Sequence, residues 1–366
     1  MNKLFTYGLV SASAFLLAAC SSSTKEKSGQ QKTLNVTMLQ EPSTADPNKG
    51  TDVYSASMVK QTMEGLYDIT NTGKIVPGVA TKIVKPSNNG TTYTFTLRKD
   101  AKWQNGKPVT AQDFVTSFDR QVAPKTKSQY ASRFQSFKNY AEIQKGTKPS
   151  TALGVKALSK NQLQVNLTAP DPEFNFRAAT EYYPLNTATV KKYGQQYGTS
   201  SAKTLSNGPF TLQGWDPSKD AWVYKKNQNY WDKKAVKLPA VHVQVVKEPS
   251  TAQNMFASGK IQETLISGEF VKQDAKQYAK NIVYTKKGTM RFLSFSAKNK
   301  ITSNRNFRLA VSYALDRKQL TNNVLQDGST PAKSMVPEGD GKDPSNGKYF
   351  NNCLLYTSPS PRDGLL

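Results

Sequence analysis

Residues 91–120 read TTYTFTLRKDAKWQNGKPVTAQDFVTSFDR, and this stretch contains the patterns of a strand, a turn and a helix in succession. Tyr93, Phe95 and Leu97 alternate with threonine, which is the period-two pattern of a strand with one buried face. Residues 105–108 are Asn-Gly-Lys-Pro, a combination that favours a turn. Thr110 then precedes an apolar stripe at helical spacing, so we expect it to cap a helix. The stripe consists of Phe114, Val115, Phe118 and Val122.

The same two periods recur along the chain and predict a mixed architecture. Strand-like alternation marks residues 34–38, 163–167 and 241–245. Helical spacing marks residues 55–66 and again residues 304–325. The side chains expected to face inward from the later helix are Phe307, Ala310, Val311, Ala314 and Leu315. Because 366 residues are too many for one ordinary core, we expect an α/β or α+β chain with discontinuous lobes.

The scarcity of histidine and cysteine argues against metal and acid–base chemistry. The chain has one histidine, His242, on the polar phase of a valine strand, where we expect a surface position. Its two cysteines are Cys20 and Cys353, too few for a disulfide framework or a multi-cysteine metal site. No phosphate-binding glycine loop and no Gly-x-Ser-x-Gly elbow is present. We therefore predict that the chain is not an enzyme and carries no cofactor or metal.

The charge of the chain is strongly positive, at +24 from 50 basic and 26 acidic residues. Such an excess can indicate a nucleic-acid partner or an anionic surface. The basic residues are spread along the whole chain as single lysines or pairs, without an arginine-rich arm or a basic helix. We interpret the excess as a solvated, lysine-rich surface and expect no nucleic-acid partner.

The N-terminus has the pattern of a secretory signal peptide over residues 1–19, with Lys3 followed by a short apolar run. The residues Leu-Ala-Ala-Cys at positions 17–20 resemble the bacterial lipobox, in which the cysteine is acylated before cleavage. The resemblance implies that Cys20 carries a lipid anchor on the extracytoplasmic face of the cell membrane. Residues 20–32 then form a flexible, polar tether to the folded body.

Residues 97–114, LRKDAKWQNGKPVTAQDF, resemble the signature of the family 5 solute-binding proteins, which deliver oligopeptides, dipeptides or nickel to ABC importers. Further stretches match the family in the same order along the chain. They are residues 41–47, 64–66, 153–158, 207–210, 229–232, 258–259 and 314–317. The likeness is greatest to the oligopeptide-binding branch.

The resemblance implies an α/β, periplasmic-binding-protein-like fold of type II, cluster C, with three lobes around a cleft that closes by hinge motion. The first lobe is expected to comprise residues 33–64 and 206–290, and the second residues 65–205. Residues 291–350 would begin a third lobe that is incomplete here. Residues 351–366 resemble the conceptual translation of a transposase-type sequencing adaptor. We expect them to be derived from one, the alternative being a natural divergent tail.

The resemblance also implies a peptide site in which backbone hydrogen bonds hold the ligand as an extended strand. By position, the residues that match it are Thr51, Asp52, Val53, Tyr130, Ser267, Gly268 and Arg291. Thr51 stands where oligopeptide binders place glutamate. Other motif residues are expected to serve the fold: Trp103 in the core, residues 207–209 at a crossover, and Asp316 with Arg317 in a salt bridge.

Together these observations predict a lipid-anchored receptor that binds oligopeptides and passes them to the permease and ATPase subunits of an ABC importer. A dipeptide or nickel-chelate receptor of the same family is the nearest alternative, and the single histidine disfavours nickel. A basic surface lipoprotein that binds wall polyanions is the alternative from a different class.

Overall fold

The computed structural model of the chain describes residues 33–285, 288–332 and 336–337. Its strands are β1 (Leu34–Met38), β2 (Tyr67–Ile69), β3 (Ile75–Pro77), β4 (Thr92–Thr96), β5 (Val155–Ser159), β6 (Gln162–Asn166), β7 (Phe210–Gln213), β8 (Ala221–Lys226) and β9 (Ala240–Val245). Its α-helices are α1 (Val53–Thr62), α2 (Ala111–Val122), α3 (Tyr140–Gln144), α4 (Phe174–Thr180), α5 (Thr187–Tyr193), α6 (Pro249–Ala257), α7 (Glu269–Gln277), α8 (Lys300–Ser303), α9 (Arg305–Ala314) and α10 (Arg317–Gln319). The strands predicted from alternation are therefore confirmed.

The chain separates into two units, the first comprising the residues up to Val36 and Gln40–Val245, and the second Thr37–Leu39 and the residues from Val246 onward. The first unit holds an antiparallel sheet in the order β4-β6-β5, in which Tyr93 lies opposite Val165 and Val155 lies opposite the same residue. A two-stranded ribbon pairs β2 with β3, and a further sheet has the order β1-β9-β8-β7. The predicted division into three lobes stays a prediction.

An aromatic core fills the space between β4, α2 and α4 in the first unit. Tyr93 stacks on Phe174 with a 4.0 Å ring separation, and Phe118 meets Phe134 at 5.1 Å. Trp103 is 0% exposed, which confirms the prediction that it lies in the core. Because burying each such side chain contributes roughly 1.5–3 kcal/mol, this cluster is the main source of stability for the unit.

Helix α1 is shorter than the predicted helix over residues 55–66. It ends at Thr62, and Met63 is already extended. The N–H of Gly208 donates to the carbonyl of Thr62 at 2.9 Å, and the side chain of Asn207 bonds the backbone of Glu64. The backbone groups of Thr62 and Glu64 are thus hydrogen-bonded to residues 207–208, and they do not continue the helix.

The predicted continuous helix over residues 304–325 is wrong. Helix α9 ends at Ala314, and Leu315 is extended. Asp316 then caps the short helix α10, and a π-helical turn at Leu320–Leu325 follows it. The Asp316 carboxylate accepts from the N–H of Gln319 at 2.9 Å, and such a cap starts a new helix rather than continuing the old one.

Two further expectations for this segment are also wrong. Helix α9 contains no buried residue, and Phe307 and Leu315 are 39% and 42% exposed. Asp316 and Arg317 do not form the predicted salt bridge, because the Asp316 carboxylate caps α10 through the Gln319 N–H. Arg317 instead donates to the carbonyl and hydroxyl oxygens of Ser312, which lies in the last turn of α9.

Candidate functional site

The predicted peptide edge and the predicted cleft tyrosine come together in the first unit. The Tyr130 hydroxyl donates to the Thr51 carbonyl at 3.2 Å, although 79 positions separate the two residues. Val53 is the first residue of α1 and is 74% exposed. The contact forms a solvent-exposed edge composed of Thr51, Val53 and Tyr130.

Asp52 belongs to the same stretch but serves the fold. Its carboxylate caps α1 by accepting from the Ser55 N–H at 2.7 Å, and it also accepts from the hydroxyls of Ser43 and Ser55 at 2.6 and 2.7 Å. Partial burial would raise the pKa of Asp52, but these hydrogen bonds from Ser43 and Ser55 lower the pKa below its ordinary value. Asp52 therefore stays ionised, with both carboxylate oxygens engaged by neighbouring residues.

Tyr130 is held in place by polar neighbours rather than by the core. The Arg133 guanidinium lies 3.6 Å from the centre of the Tyr130 ring, and Arg133 also pairs with Glu181 at 3.4 Å. The Tyr130 side chain is half-buried, so one part of the ring remains open to solvent. An aromatic ring of this kind offers an apolar face and a hydroxyl to a ligand at the same position.

The other three predicted site residues lie in the second unit. Gly268 precedes α7 with a φ of +61°, a conformation that favours glycine, and its N–H donates to the Leu325 carbonyl at 2.9 Å. Ser267 is exposed beside it. Arg291 is exposed near Asp327, whose pKa is lowered chiefly by the Ser329 hydroxyl and to a smaller extent by the Arg291 charge. Cys20, the signal peptide, the tether and residues 351–366 lie outside the described residues.

In the family signature around Trp103, several polar groups are hydrogen-bonded to one buried carboxylate. Asp113 is buried in α2, and one of its carboxylate oxygens accepts from the Trp103 indole N–H at 3.2 Å and from the Thr110 N–H at 2.9 Å. The other oxygen accepts from the N–H and hydroxyl of Thr187, both at 2.9 Å. Thr110 occupies the N-cap position of α2, as predicted.

A buried cluster around Glu64 unites four motif stretches whose meeting was not predicted. The Glu64 carboxylate accepts from the Tyr230 hydroxyl and the Trp231 indole N–H, both at 2.6 Å. Arg98 lies 3.2 Å from the centre of the Trp231 ring, and the Asn207 side chain bonds both the N–H and the carbonyl of Glu64. The sequence signal was available, because each of these residues falls in a stretch that matches the family.

The Glu64 carboxyl is an unusual acid for a folded protein. Burial raises its pKa to about 7, against the opposing effect of the hydrogen bonds from Tyr230 and Trp231. A cavity of about 50 Å³ lies beside it and is also lined by Lys60, Asp68 and Tyr183. Glu64 lies where residues 62–64 and 207–208 are hydrogen-bonded to each other.

The described residues contain neither a metal-binding cluster nor a membrane-spanning helix. Within residues 33–285, 288–332 and 336–337, no group of three or more histidine, cysteine or acidic side chains is placed to hold a metal ion. In that same part of the chain, no helix combines the length and the apolar character needed to cross a bilayer.

Comparison with known proteins gives consistent matches. The dipeptide-binding protein of Lactococcus lactis is 34% identical over 355 residues, which are 93% of this chain and 63% of that protein. The structure of a Listeria monocytogenes OppA bound to peptide matches with a TM-score of 0.78 and 37% identity, over 88% of this chain and 64% of the other. The substrate-binding domain of a Bacillus anthracis oligopeptide ABC transporter matches with a TM-score of 0.79 and 41% identity, over 86% and 61%.

The two solved structures confirm the predicted periplasmic-binding-protein-like α/β class. The chain spans less than two thirds of the length of the proteins that it matches. The family that matches is described as bacterial extracellular solute-binding proteins, family 5 middle, over residues 74–356. Its members and the relatives above are binding proteins, so the prediction that the chain is not an enzyme is confirmed on that ground. The chain belongs to family 5 of the bacterial extracellular solute-binding proteins.

Proposed function

We propose that this chain is the receptor part of an ABC importer that binds oligopeptides outside the cytoplasm and delivers them to the permease and ATPase subunits. The names of the relatives support this reading, since one is an OppA bound to peptide and another belongs to an oligopeptide ABC transporter. In the first unit the proposed peptide contacts are Thr51, Val53 and Tyr130, with Asp52 acting through the cap of α1. In the second unit they are Ser267, Gly268 and Arg291.

The contact between Tyr130 and Thr51 carries the proposal. It fixes an exposed chain edge next to an aromatic ring, and the engaged carboxylate of Asp52 presents no free charge that would select one ligand side chain. An extended peptide can add to such an edge through its own backbone groups, which are the same in every sequence. A receptor of this kind accepts many peptides and discriminates poorly among them.

Calorimetry of the chain with tripeptides to pentapeptides of varied composition tests this reading. We expect affinities within about tenfold of one another, because the backbone makes most of the hydrogen bonds. Peptides with N-methylated backbone amides should bind at least tenfold more weakly than their parents. Affinity that follows the side chains and ignores N-methylation would contradict the proposal.

Dipeptides are the second candidate ligand, and one observation favours them. The Lactococcus lactis relative that matches over 93% of this chain is named a dipeptide-binding protein. Competition distinguishes the two readings. If dipeptides displace a bound pentapeptide at equal concentration, the chain prefers the shorter ligand.

We further propose that Cys20 is acylated and anchors the receptor to the cell membrane. The support is the lipobox-like sequence at positions 17–20 and the polar tether that follows it. In a bacterial host fed with an alkyne-labelled fatty acid, the parent chain should incorporate the label and Cys20→Ala should not. Equal labelling of both proteins would exclude the anchor.

A further inference from the structure

Three lysines of the first unit converge on two neighbouring glutamines. Lys49 Nζ donates to the Gln195 side-chain oxygen at 2.9 Å, and the Gln195 amide donates to the Lys125 carbonyl at 3.2 Å. Lys203 Nζ donates to the side-chain oxygen of Gln196 at 2.8 Å. These contacts draw together three parts of the chain that lie far apart in sequence.

Three more lysines adjoin the same point. Lys191 and Lys192 lie in the last turn of α5, directly before the 3-10 helix Gly194–Gln196 that carries both glutamines. Lys127 follows Lys125 at the end of the 3-10 helix Pro124–Thr126. We call the whole group the lysine patch, and its members are Lys49, Lys125, Lys127, Lys191, Lys192 and Lys203. Four members are exposed, while Lys49 and Lys203 are half-buried.

Acidic side chains are missing from the segments that form most of the patch. Neither residues 120–141 nor residues 182–215 contain an aspartate or glutamate. Asp46 lies close to Gly198, but it is fully buried and paired with Arg120 at 2.6 Å. In the part of the chain that the structure describes, no lysine of the patch forms an ion pair with a carboxylate. The positive charge of the patch is therefore not compensated locally.

Some lysines elsewhere in the unit have acidic neighbours. Lys219 pairs with Asp216, Lys99 precedes Asp100, and Lys233 follows Asp232. The patch differs from these because residues 120–141 and 182–215 supply no acidic side chain.

We propose that the lysine patch lies against the anionic headgroups of the bilayer to which the chain is anchored. The proposal rests on the lipid anchor proposed above, which brings a charged plane within reach. The sequence places 12 residues between Cys20 and Thr33, and a flexible coil of that length spans roughly 20 Å root-mean-square. A lysine near an anionic membrane surface is attracted within about one Debye length, roughly 10 Å at 0.1 M salt.

The chemistry of the patch fits a charged plane better than a single phosphate group. Lysine is a compact, hydrated point charge, whereas binding of an individual phosphate favours the two-pronged arginine guanidinium. The patch contains no arginine. In the sequence, Lys49 precedes Thr51 and Lys127 precedes Tyr130 by a few residues. The patch and the proposed peptide edge therefore share two short stretches of the chain, residues 49–53 and 125–130.

Vesicle co-sedimentation of the full chain tests the proposal. The protein carries Cys20→Ala, so that no acyl chain contributes and the result does not depend on whether Cys20 is acylated. One set of vesicles is phosphatidylcholine alone, and the other contains about a third phosphatidylglycerol. The N-terminal apolar run contributes equally to every protein compared.

Two variants of equal net charge separate the patch from the overall charge. In the first, all six patch lysines become glutamine. In the second, six exposed lysines elsewhere become glutamine, namely Lys82, Lys85, Lys99, Lys102, Lys233 and Lys234. Unchanged melting temperatures confirm that both variants fold.

We expect the parent to prefer the anionic vesicles at low salt and to lose that preference at high salt. The patch variant should bind the anionic vesicles at least tenfold more weakly, and the control variant within about threefold of the parent. An equal loss in both variants would overturn the proposal, as would equal binding of the parent to neutral and anionic vesicles. The proposal would also be overturned if inorganic polyphosphate bound the patch more tightly than the anionic vesicles do at matched phosphate concentration. The ligand of the patch would then be a soluble polyanion and not the bilayer.

Discussion

Tyr130 and Asp52 lie beside the same exposed edge but use their polar atoms differently. Asp52 stabilises the start of α1 through three hydrogen bonds, so its replacement would disturb the helix as well as any ligand contact. Tyr130 makes one hydrogen bond with its hydroxyl and keeps its ring half-exposed. Tyr130 is therefore the better residue for testing binding without a large loss of stability.

Tyr130→Phe should weaken peptide binding while leaving the fold intact. The change removes the hydroxyl that donates to Thr51 and keeps the ring over which Arg133 lies. This bond lies within the chain and is worth about 0.5–1.5 kcal/mol, so its loss should lower the melting temperature only slightly. Because the hydroxyl then no longer holds the Thr51 segment in place, we expect an affinity loss of about two- to tenfold. Calorimetry and thermal unfolding of the same preparation measure both. A large fall in melting temperature would mean that Tyr130 is a core residue.

Glu64 should make the stability of the first unit depend on pH in a direction opposite to that of most carboxylates. Its pKa is raised to about 7 by burial, so the folded state binds a proton more tightly than the unfolded chain does. The stabilisation is fully present below about pH 4.5 and is lost as the pH rises through 7, with a slope of up to about 1.4 kcal/mol per pH unit.

Urea unfolding of the parent and of Glu64→Gln between pH 4.5 and 8 measures this effect. Because glutamine cannot ionise, the stability advantage of the parent over the variant should be largest at low pH and shrink toward pH 7. The groups that face Glu64 are Tyr230, Trp231, Asp68 and Arg98, and they are unchanged in the variant. Glu142→Gln removes a half-buried carboxylate from another part of the first unit and serves as the control. A constant difference across the range would contradict the raised pKa.

Helix α2 shows how a sequence signature can encode an element and its anchor together. Asp113 receives hydrogen bonds from Trp103, Thr110 and Thr187, which precede and follow the helix in the chain. The signature therefore describes a turn, the cap of α2 and the carboxylate that binds the start of α5. Its strict spacing follows from the need for one buried carboxylate to reach all three donors.

Asp113→Ala should destabilise the first unit by about 3–5 kcal/mol. The change leaves the buried indole N–H of Trp103 and the N–H of Thr187 without their acceptor, and each unsatisfied donor costs about 1–3 kcal/mol. Urea unfolding at neutral pH measures the loss. Asp100→Ala is the matched control, because Asp100 forms an exposed pair with Arg98 that is worth at most about 1 kcal/mol. Similar losses in the two variants would exclude the anchoring role.

At the scale of the whole molecule, the two units differ in how much side-chain surface they bury. In the described part of the second unit the buried residues are Val246, Ala252, Ile261, Val271, Asp274 and Thr321. The first unit contains the aromatic core and the three-stranded sheet. A unit with so little burial has a smaller free energy of unfolding.

Amide hydrogen exchange should therefore be slower in the first unit than in the second. We expect the amides of β4 and β6 to be the most protected and those of α9 to exchange at least a hundredfold faster, since α9 buries no side chain. Peptide-level mass spectrometry over minutes to hours resolves the two classes. Protection of α9 equal to that of β6 would show that its exposed apolar residues are covered in solution.

The sequence by itself determined strands β1, β4, β6 and β9, the cap of α2 and the family, because these depend on short-range periods and on motifs in a fixed order along the chain. Tertiary structure decided what distant residues do to one another. Only the fold joined Tyr130 to Thr51, bonded Glu64 to Tyr230 and Trp231, and drew the lysine patch together. It also ended α9 at Ala314, where a helical pattern continues. Local periodicity reports which face of an element is apolar, but the path of the chain through its layers decides which elements meet, and so where a polar group finds its partner.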